Sequence, residues 1–135
     1  MRSLGLDIGG KWIGVALSDP SGILATPFTI IARNDDIKDI EAILDIVNQQ
    51  GVEQIVVGLP FSMDGSVGQQ ADKVKSFTRE LCSRTGVSVE YRDERLTTVS
   101  AKRLMRSVGK KKGREKARDD AIAAALILQG YLDEI

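Results

Sequence analysis

The sequence predicts an α/β protein with a mixed five-stranded sheet, in which three antiparallel strands come first, parallel strands follow, and helices cover both faces. Three observations support this prediction. Three strand patterns joined by short turns open the chain, strand and helix patterns alternate after them, and one later strand is apolar throughout, as in strands buried on both faces. The chain has 135 residues and is 42% hydrophobic. That is enough for a core, and we expect residues 1–135 to form a single domain.

The first three strands are predicted from short apolar runs bounded by turn residues. They cover Ser3 to Gly9, Trp12 to Ser18 and Ile23 to Ile31, with turns at Gly9-Gly10 and at Asp19 to Gly22. Turns this short connect antiparallel neighbours, so the three strands should form a meander.

The remaining elements alternate between helical and extended patterns. A helix is expected after the capping residues Asn34, Asp35 and Asp36, because apolar residues recur at helical spacing up to Gly51. The later elements follow the same rules: a strand at Gln54 to Leu59, a loop at Pro60 to Gly68, a helix from Ala71 towards Gly86, a strand at Val87 to Arg92, a helix at Thr98 to Val108, a basic loop at Gly109 to Gly113, and a last helix from about Asp119 to Leu132.

Composition narrows the possible functions. The single cysteine, Cys82, excludes an internal disulfide and favours a reducing compartment. Its place in a helical pattern with Phe77 and Leu81 favours a small buried side chain over a nucleophile. The chain has no apolar stretch of membrane-spanning length and no signal-peptide core, so we expect a soluble, cytoplasmic protein. Histidine is absent, which leaves catalysis to carboxylates, lysines, hydroxyls or a hard metal ion.

Asp7 places a carboxylate inside the apolar run Leu4 to Ile8, directly before Gly9, Gly10 and Lys11. A charge removed from water needs a hydrogen-bonding partner, an opposite charge or a cation. The two glycines would let a phosphate or a metal ion approach the backbone. The alternative is a strand-end aspartate that caps the following turn.

Two further acidic clusters accompany Asp7 at element ends. Asp93 and Glu94 end a predicted parallel strand, and Asp119 and Asp120 open the predicted last helix. If the first strand is central and lies beside the strand that ends at Glu94, the three clusters converge. Converging carboxylates select Mg²⁺ or Mn²⁺. Two such ions about 4 Å apart can activate a water and stabilise the leaving oxygen of a phosphodiester.

Each later cluster also has a purely structural interpretation. Asp119 or Asp120 could cap the last helix, where a carboxylate accepts hydrogen bonds from free backbone N–H groups. Asp93, Glu94 and Arg95 could form a surface turn with local ion pairs. The combination of the three clusters, and no single one of them, favours a metal site.

A basic segment between the acidic clusters suggests a polyanionic partner. The net charge of the whole chain is zero and its pI is about 6.3, which taken alone argues against nucleic-acid binding. Between Arg95 and Arg118 the only acidic residue is Glu115. The basic residues of this segment are Arg95, Lys102, Arg103, Arg106, Lys110, Lys111, Lys112, Arg114, Lys116 and Arg118. The alternative is a solvated loop.

Four motifs in order resemble the bacterial YqgF/RuvX family over essentially the whole chain. They are Leu6-Asp7-Ile8-Gly9-Gly10-Lys11 with Ile13-Gly14-Val15-Ala16, Val57-Gly58-Leu59-Pro60 with Met63-Asp64-Gly65-Ser66, Asp93-Glu94-Arg95-Leu96-Thr97-Thr98, and Asp120 with Ala123-Ala124 and Ile127 to Leu132. The resemblance implies an RNase H-like nuclease that processes the 5′ end of pre-16S ribosomal RNA or resolves Holliday junctions. It also implies that Asp7, Glu94 and Asp120 are the catalytic, metal-binding carboxylates, with Asp120 preferred over Asp119 because it keeps the family's spacing to the alanine pair.

Nucleic-acid contacts are expected from the basic segment, from Lys11 on a phosphate, from Trp12 by stacking on a base, and from Ser62 in the loop after the fourth strand. The sequence departs from the family's usual pattern at two of these positions. Trp12 stands where the family usually has arginine, and Ser62 where it usually has asparagine. These departures affect substrate contacts and leave the three carboxylates unchanged.

Two other functions are compatible with the sequence. An Asp-x-Gly-Gly loop after a first strand also opens actin-like and sugar-kinase ATPases, but those proteins need a second domain to enclose the nucleotide. A nucleic-acid-binding factor could assist ribosome maturation without cutting RNA. The sequence leaves open whether the substrate is RNA or a four-way DNA junction, and whether the protein is a monomer or a homodimer.

Overall fold

The computed structural model describes residues 1–59, 69–93 and 114–134. The elements are β1 (Ser3–Ile8), β2 (Trp12–Ser18), β3 (Ala25–Ala32), α1 (Asp36–Gln50), β4 (Gln54–Leu59), α2 (Gln69–Arg84), β5 (Ser88–Asp93) and α3 (Arg114–Glu134). The helix predicted at 98–108 and the loops predicted at 60–68 and 109–113 lie outside the described residues.

The five strands form one mixed sheet in the order β3-β2-β1-β4-β5. β1 pairs antiparallel with β2, and β2 pairs antiparallel with β3. β4 runs parallel to both of its neighbours, β1 and β5. The predicted mixed sheet is confirmed, and β1 is its central strand.

The two faces of the sheet carry separate apolar cores, because successive side chains of a strand point to opposite faces. Leu4, Leu6 and Ile8 of β1 lie in the core that α1 and α2 cover. On the other face, Ala16 and Val56 pack with the alanines and leucines of α3. Helices therefore cover both faces, as predicted.

Local signals fix the turns and helix ends near the first three strands. The side chain of Asp35 accepts a hydrogen bond from the Lys38 N–H and caps α1, and Gly51 ends α1 in the left-handed conformation with φ 64°. In the β2–β3 turn, Asp19 Oδ1 accepts from the N–H groups of Leu24 and Ile23. These hydrogen bonds hold the pKa of Asp19 below its usual range.

Two expectations about the helices are wrong. The last helix begins at Arg114, five residues before the predicted Asp119, so Asp119 and Asp120 lie in its second turn. The residues from 114 to 118 are mostly good helix formers, which allows the longer helix. Cys82 is exposed and not buried, because Leu81 takes the inward position on α2.

The C-terminal half of α3 contacts the sheet through a polar group. The Tyr131 hydroxyl donates to Glu90 on β5 and accepts from Gln54 Nε2 on β4 at 2.7 Å. Burial and the hydrogen bond to Glu90 raise the pKa of Tyr131 above its usual value of 10.0.

The raised pKa of Tyr131 predicts a loss of stability at alkaline pH. The unfolded chain releases the phenol proton at a lower pH than the folded chain, so this contribution is complete below about pH 10 and is lost as the pH rises further. We expect the free energy of unfolding of Tyr131→Phe to lack this part of the decrease with rising pH. Urea unfolding of both proteins from about pH 8 to about pH 11 measures the difference. Tyr91→Phe is the control because Tyr91 is exposed; parallel pH profiles for wild type and Tyr131→Phe would contradict the assignment.

No described helix combines the length and the apolar character needed to cross a membrane.

Candidate active site

Asp7 lies near the end of the central strand and is only 2% exposed. Gly5 of the same strand faces α3, because a Cβ added there would lie 2.8 Å from Leu128 Cβ of that helix. Asp7, two residues later, points to the same α3-covered face. A carboxylate buried at this point requires compensation by hydrogen bonds or charge.

Gly14 brings α3 next to Asp7. Gly14 is the cross-strand partner of Asp7 on β2, so the two residues share a face. A Cβ on Gly14 would lie 2.0 Å from the backbone carbonyl oxygen of Asp120 and 2.8 Å from the N–H nitrogen of Ala121. The helix backbone at Asp120 therefore rests directly on β2 beside Asp7, and only glycine permits this approach.

The long α3 excludes the capping role for Asp119 and Asp120. A cap residue flanks the first turn of its helix, whereas both aspartates follow Arg114 by more than one turn. Both side chains are half-buried. The helix backbone at Asp120 thus lies against the cross-strand partner of Asp7.

Of the third acidic cluster, only Asp93 belongs to the described residues. Asp93 is the last residue of β5 and lies opposite Leu59 of β4, at the edge where the parallel strands end. The expectation that this strand lies beside β1 is wrong, because β4 separates them. Two strand spacings put β5 about 10 Å from β1. Glu94, the predicted ligand, lies outside the described residues.

The donor set near Asp7 fits a hard cation. Carboxylate oxygens such as those of Asp7 and Asp120 are the donors that Mg²⁺ and Mn²⁺ select, and the chain offers no histidine to a softer metal. Within the described ranges no three acidic or cysteine side chains form a group that could hold an ion. The described part of the site therefore supplies only some of the ligands that a metal ion would need.

The β1–β2 turn, residues 9–11, is held by side chains from outside it. Arg33 Nη1 donates to the Gly9 carbonyl at 2.9 Å, and Gln70 Nε2 donates to the Ile8 carbonyl at 3.3 Å. The Arg33 backbone N–H donates to the Lys11 carbonyl at 2.9 Å. Each donor fixes a backbone group close to Asp7.

Arg33 is itself held by two carboxylates and an aromatic ring. Its Nε lies 2.8 Å from Oδ2 of Asp39, a carboxylate that is 2% exposed. Nη2 bonds Asp36 at 2.9 Å, and the guanidinium lies 5.3 Å from the centroid of the Phe77 ring. Arg33 and Gln70 were not predicted, because nothing local to either residue signals a contact with backbone carbonyls 24 or 62 positions away.

The predicted nucleic-acid contacts divide into three groups. Lys11 is exposed and Trp12 is half-buried, both beside Asp7. Arg114 and Arg118 belong to the first turns of α3. The others lie outside the described residues: Ser62, Arg95, Lys102, Arg103, Arg106, Lys110, Lys111 and Lys112.

Comparison with known proteins identifies the family. The family model described as "RuvX: Holliday junction resolvase" matches residues 1–134. A Moorella thermoacetica protein named "Putative pre-16S rRNA nuclease" is 47% identical over 135 residues, covering 100% of this chain and 96% of the relative. A Dehalococcoides mccartyi protein of the same name is 48% identical over 127 residues, covering 94% of each.

Solved structures give the fold. Thermus thermophilus RuvC, in complex with a Holliday junction substrate, matches with TM-score 0.61 at 14% identity and covers 99% of this chain and 96% of its own. The yeast mitochondrial Holliday junction resolvase Ydc2 matches with TM-score 0.58 at 12% identity, over 96% of this chain and 77% of its own. The architecture is thus the RNase H-like fold of these resolvases, and with a family match over residues 1–134 the chain belongs to the RuvX family.

Proposed function

We propose that this chain is a metal-dependent endonuclease that processes the 5′ end of pre-16S ribosomal RNA in the cytoplasm, with residues 1–135 as one nuclease domain. The observation that carries the proposal is the burial of Asp7 on the central strand, 2% exposed, with the Asp120 backbone packed on its cross-strand neighbour Gly14. The name shared by the two relatives supports the choice of RNA substrate.

Asp7, Glu94 and Asp120 would hold two divalent ions, Mg²⁺ or Mn²⁺. When bound, such ions act as Lewis acids on the scissile phosphodiester and supply a nucleophile at neutral pH. Asp7 suits this role because the central strand and the held β1–β2 turn fix its backbone. Asp120 suits it because the contact of α3 with Gly14 fixes the helix at that residue. Glu94 directly follows Asp93, the last residue of β5.

The basic residues would position the substrate. Lys11 is exposed on the turn beside Asp7 and would pair with a phosphate of the bound strand. The segment from Arg95 to Arg118 would contact flanking phosphates, each contact adding to the salt dependence of binding. These contacts orient the strand so that one phosphodiester reaches the carboxylates.

A second candidate function is Holliday junction resolution. The description of the family model and the junction-bound RuvC structure favour it. Paired cuts across a four-way junction require two active sites related by a two-fold axis, and therefore a homodimer. A monomer would suit cleavage of a single RNA strand.

A side-by-side cleavage assay separates these functions. The full chain is incubated with precursor 16S RNA and with a four-way DNA junction, each with Mg²⁺, with Mn²⁺ and with a chelator, and its oligomeric state is measured by light scattering. We expect cleavage of the RNA with a metal ion and none with the chelator. Cleavage of the junction alone would overturn the RNA assignment. RNA binding without cleavage in either metal would show a maturation factor that does not cut.

A further inference from the structure

We propose that the β1–β2 turn and the residue after it bind an unpaired nucleotide next to Asp7, with Gly10 as the point of close backbone approach, Lys11 on the phosphate and Trp12 stacked on the base. The inference rests on the proposed nuclease function and deepens it. It commits the site to single-stranded nucleic acid, RNA or DNA, beside the bond that is cut.

Strand register places Trp12 beside Asp7. Asp7 pairs with Gly14 on β2, and Trp12 precedes Gly14 by two residues, so Trp12 and Asp7 share the α3-covered face. Diagonal neighbours of this kind are about 7 to 8 Å apart, within reach of an indole ring. Trp12 is half-buried at the strand end, whereas the other six residues of β2 are buried. Trp12 is therefore partly accessible at the strand end beside Asp7.

Gly10 carries no structural requirement for glycine. Positive φ occurs among the described glycines only at Gly22 and Gly51, so the backbone at Gly10 accepts an L side chain. A Cβ at Gly10 would meet no described atom within 4 Å. Because Gly10 lies in the turn beside Asp7 and carries no side chain, its backbone is open there to close approach of a ligand.

Hydrogen bonds hold the turn in the absence of a ligand. Arg33 and Gln70 bind the carbonyls of Gly9 and Ile8, and the Arg33 N–H binds the carbonyl of Lys11. Carbonyl oxygens that would repel a phosphate are therefore already engaged by donors. A preformed surface loses little conformational freedom on binding, which favours affinity.

The indole selects unpaired bases. In a duplex both faces of each base are covered by stacked neighbours, so a base must leave the stack to lie on an aromatic ring. Loss of one such stacking contact weakens binding by about tenfold. The fully paired arms of a four-way junction would not supply this contact.

Trp12 is the only tryptophan of the chain, so intrinsic fluorescence reports directly on this position. The full chain is titrated with a single-stranded RNA, a DNA strand of the same sequence, and the duplex of each, in chelator to prevent cleavage. We expect saturable quenching by both single strands and little by the duplexes. The strand that binds more tightly identifies the natural source.

Two glycine variants provide a matched comparison. Gly10→Ala should weaken single-strand binding by about tenfold, because a methyl group then separates the ligand from the backbone. Gly86→Ala is the control, since Gly86 also has no positive φ and no described atom within 4 Å of an added Cβ. Its affinity should equal that of wild type, and both variants should unfold at the wild-type temperature.

Anisotropy of a labelled oligonucleotide tests the ring itself. Trp12→Leu should lose about tenfold in affinity for the single strand and less than about twofold for the duplex. Equal quenching by duplex and single strand, or unchanged affinity in both Gly10→Ala and Trp12→Leu, would overturn the inference. These outcomes are independent of cleavage. Quenching without any RNA cleavage would reject the proposed nuclease and keep the nucleotide site. Cleavage with unchanged affinity in both variants would reject the nucleotide site and keep the nuclease.

Discussion

Asp7→Asn should reduce metal-dependent cleavage by at least about 10³-fold while the protein remains folded. Asparagine has nearly the same shape as aspartate, so the packing of a side chain that is 2% exposed is preserved. It lacks the charge that would hold a divalent ion at the sheet centre. Several kcal/mol of transition-state stabilisation depend on such an ion, and each 1.36 kcal/mol is tenfold in rate.

The same variant has a readout other than activity. A ligand that binds only the folded state raises the unfolding temperature in proportion to the logarithm of its concentration. Wild type should therefore be stabilised by Mn²⁺, and Asp7→Asn should not respond. Asp45→Asn on the exposed side of α1 is the charge-matched control and should behave as wild type. Retained cleavage and a retained Mn²⁺ response in folded Asp7→Asn would remove Asp7 from the site.

Much of the fold could be predicted because the signals are local. The apolar run of Gln54–Leu59 indicated a strand buried on both faces, and β4 is buried throughout. The turn residues at Asp19 to Gly22 and the cap at Asp35 act within a few residues of the elements they bound. In each case the residues that predict the element lie within it or next to it.

The placement of the site could be predicted only in part, because it depends on contacts between distant segments. Strand adjacency is not encoded in any one strand, so the order β1-β4-β5 was missed although the parallel pairing was foreseen. A capping role was an alternative for Asp119 and Asp120 because they open the predicted last helix, yet the helix extends back to Arg114. Arg33 reaches the Gly9 carbonyl only after β1, β3 and α1 have come together.

Gly14→Ala should produce the largest loss of stability of any conservative change near the site. The added Cβ would lie 2.0 Å from the carbonyl oxygen and 2.3 Å from the carbonyl carbon of Asp120. Both are backbone atoms, so no side chain can rotate away, and α3 must move by more than about 1 Å to reach normal contact. We expect a cost of about 3 kcal/mol and a fall of about 10 °C in Tm. Gly86→Ala should lie within about 0.5 kcal/mol of wild type in the same urea and thermal unfolding experiments.

Gly14→Ala should also impair cleavage in the protein that remains folded, since a displacement of about 1 Å at a reacting group costs about 100-fold. Gly5→Ala separates this effect from simple destabilisation. Its Cβ would lie 2.8 Å from Leu128 Cβ and 2.9 Å from the Ala124 carbonyl oxygen, so it strains the same helix about one to two turns beyond Asp120. Measured well below both unfolding temperatures, the rate of cleavage should fall below that of wild type in Gly14→Ala and stay near that of wild type in Gly5→Ala. Wild-type activity in Gly14→Ala would mean that the contact between β2 and Asp120 stabilises the fold without positioning the carboxylate.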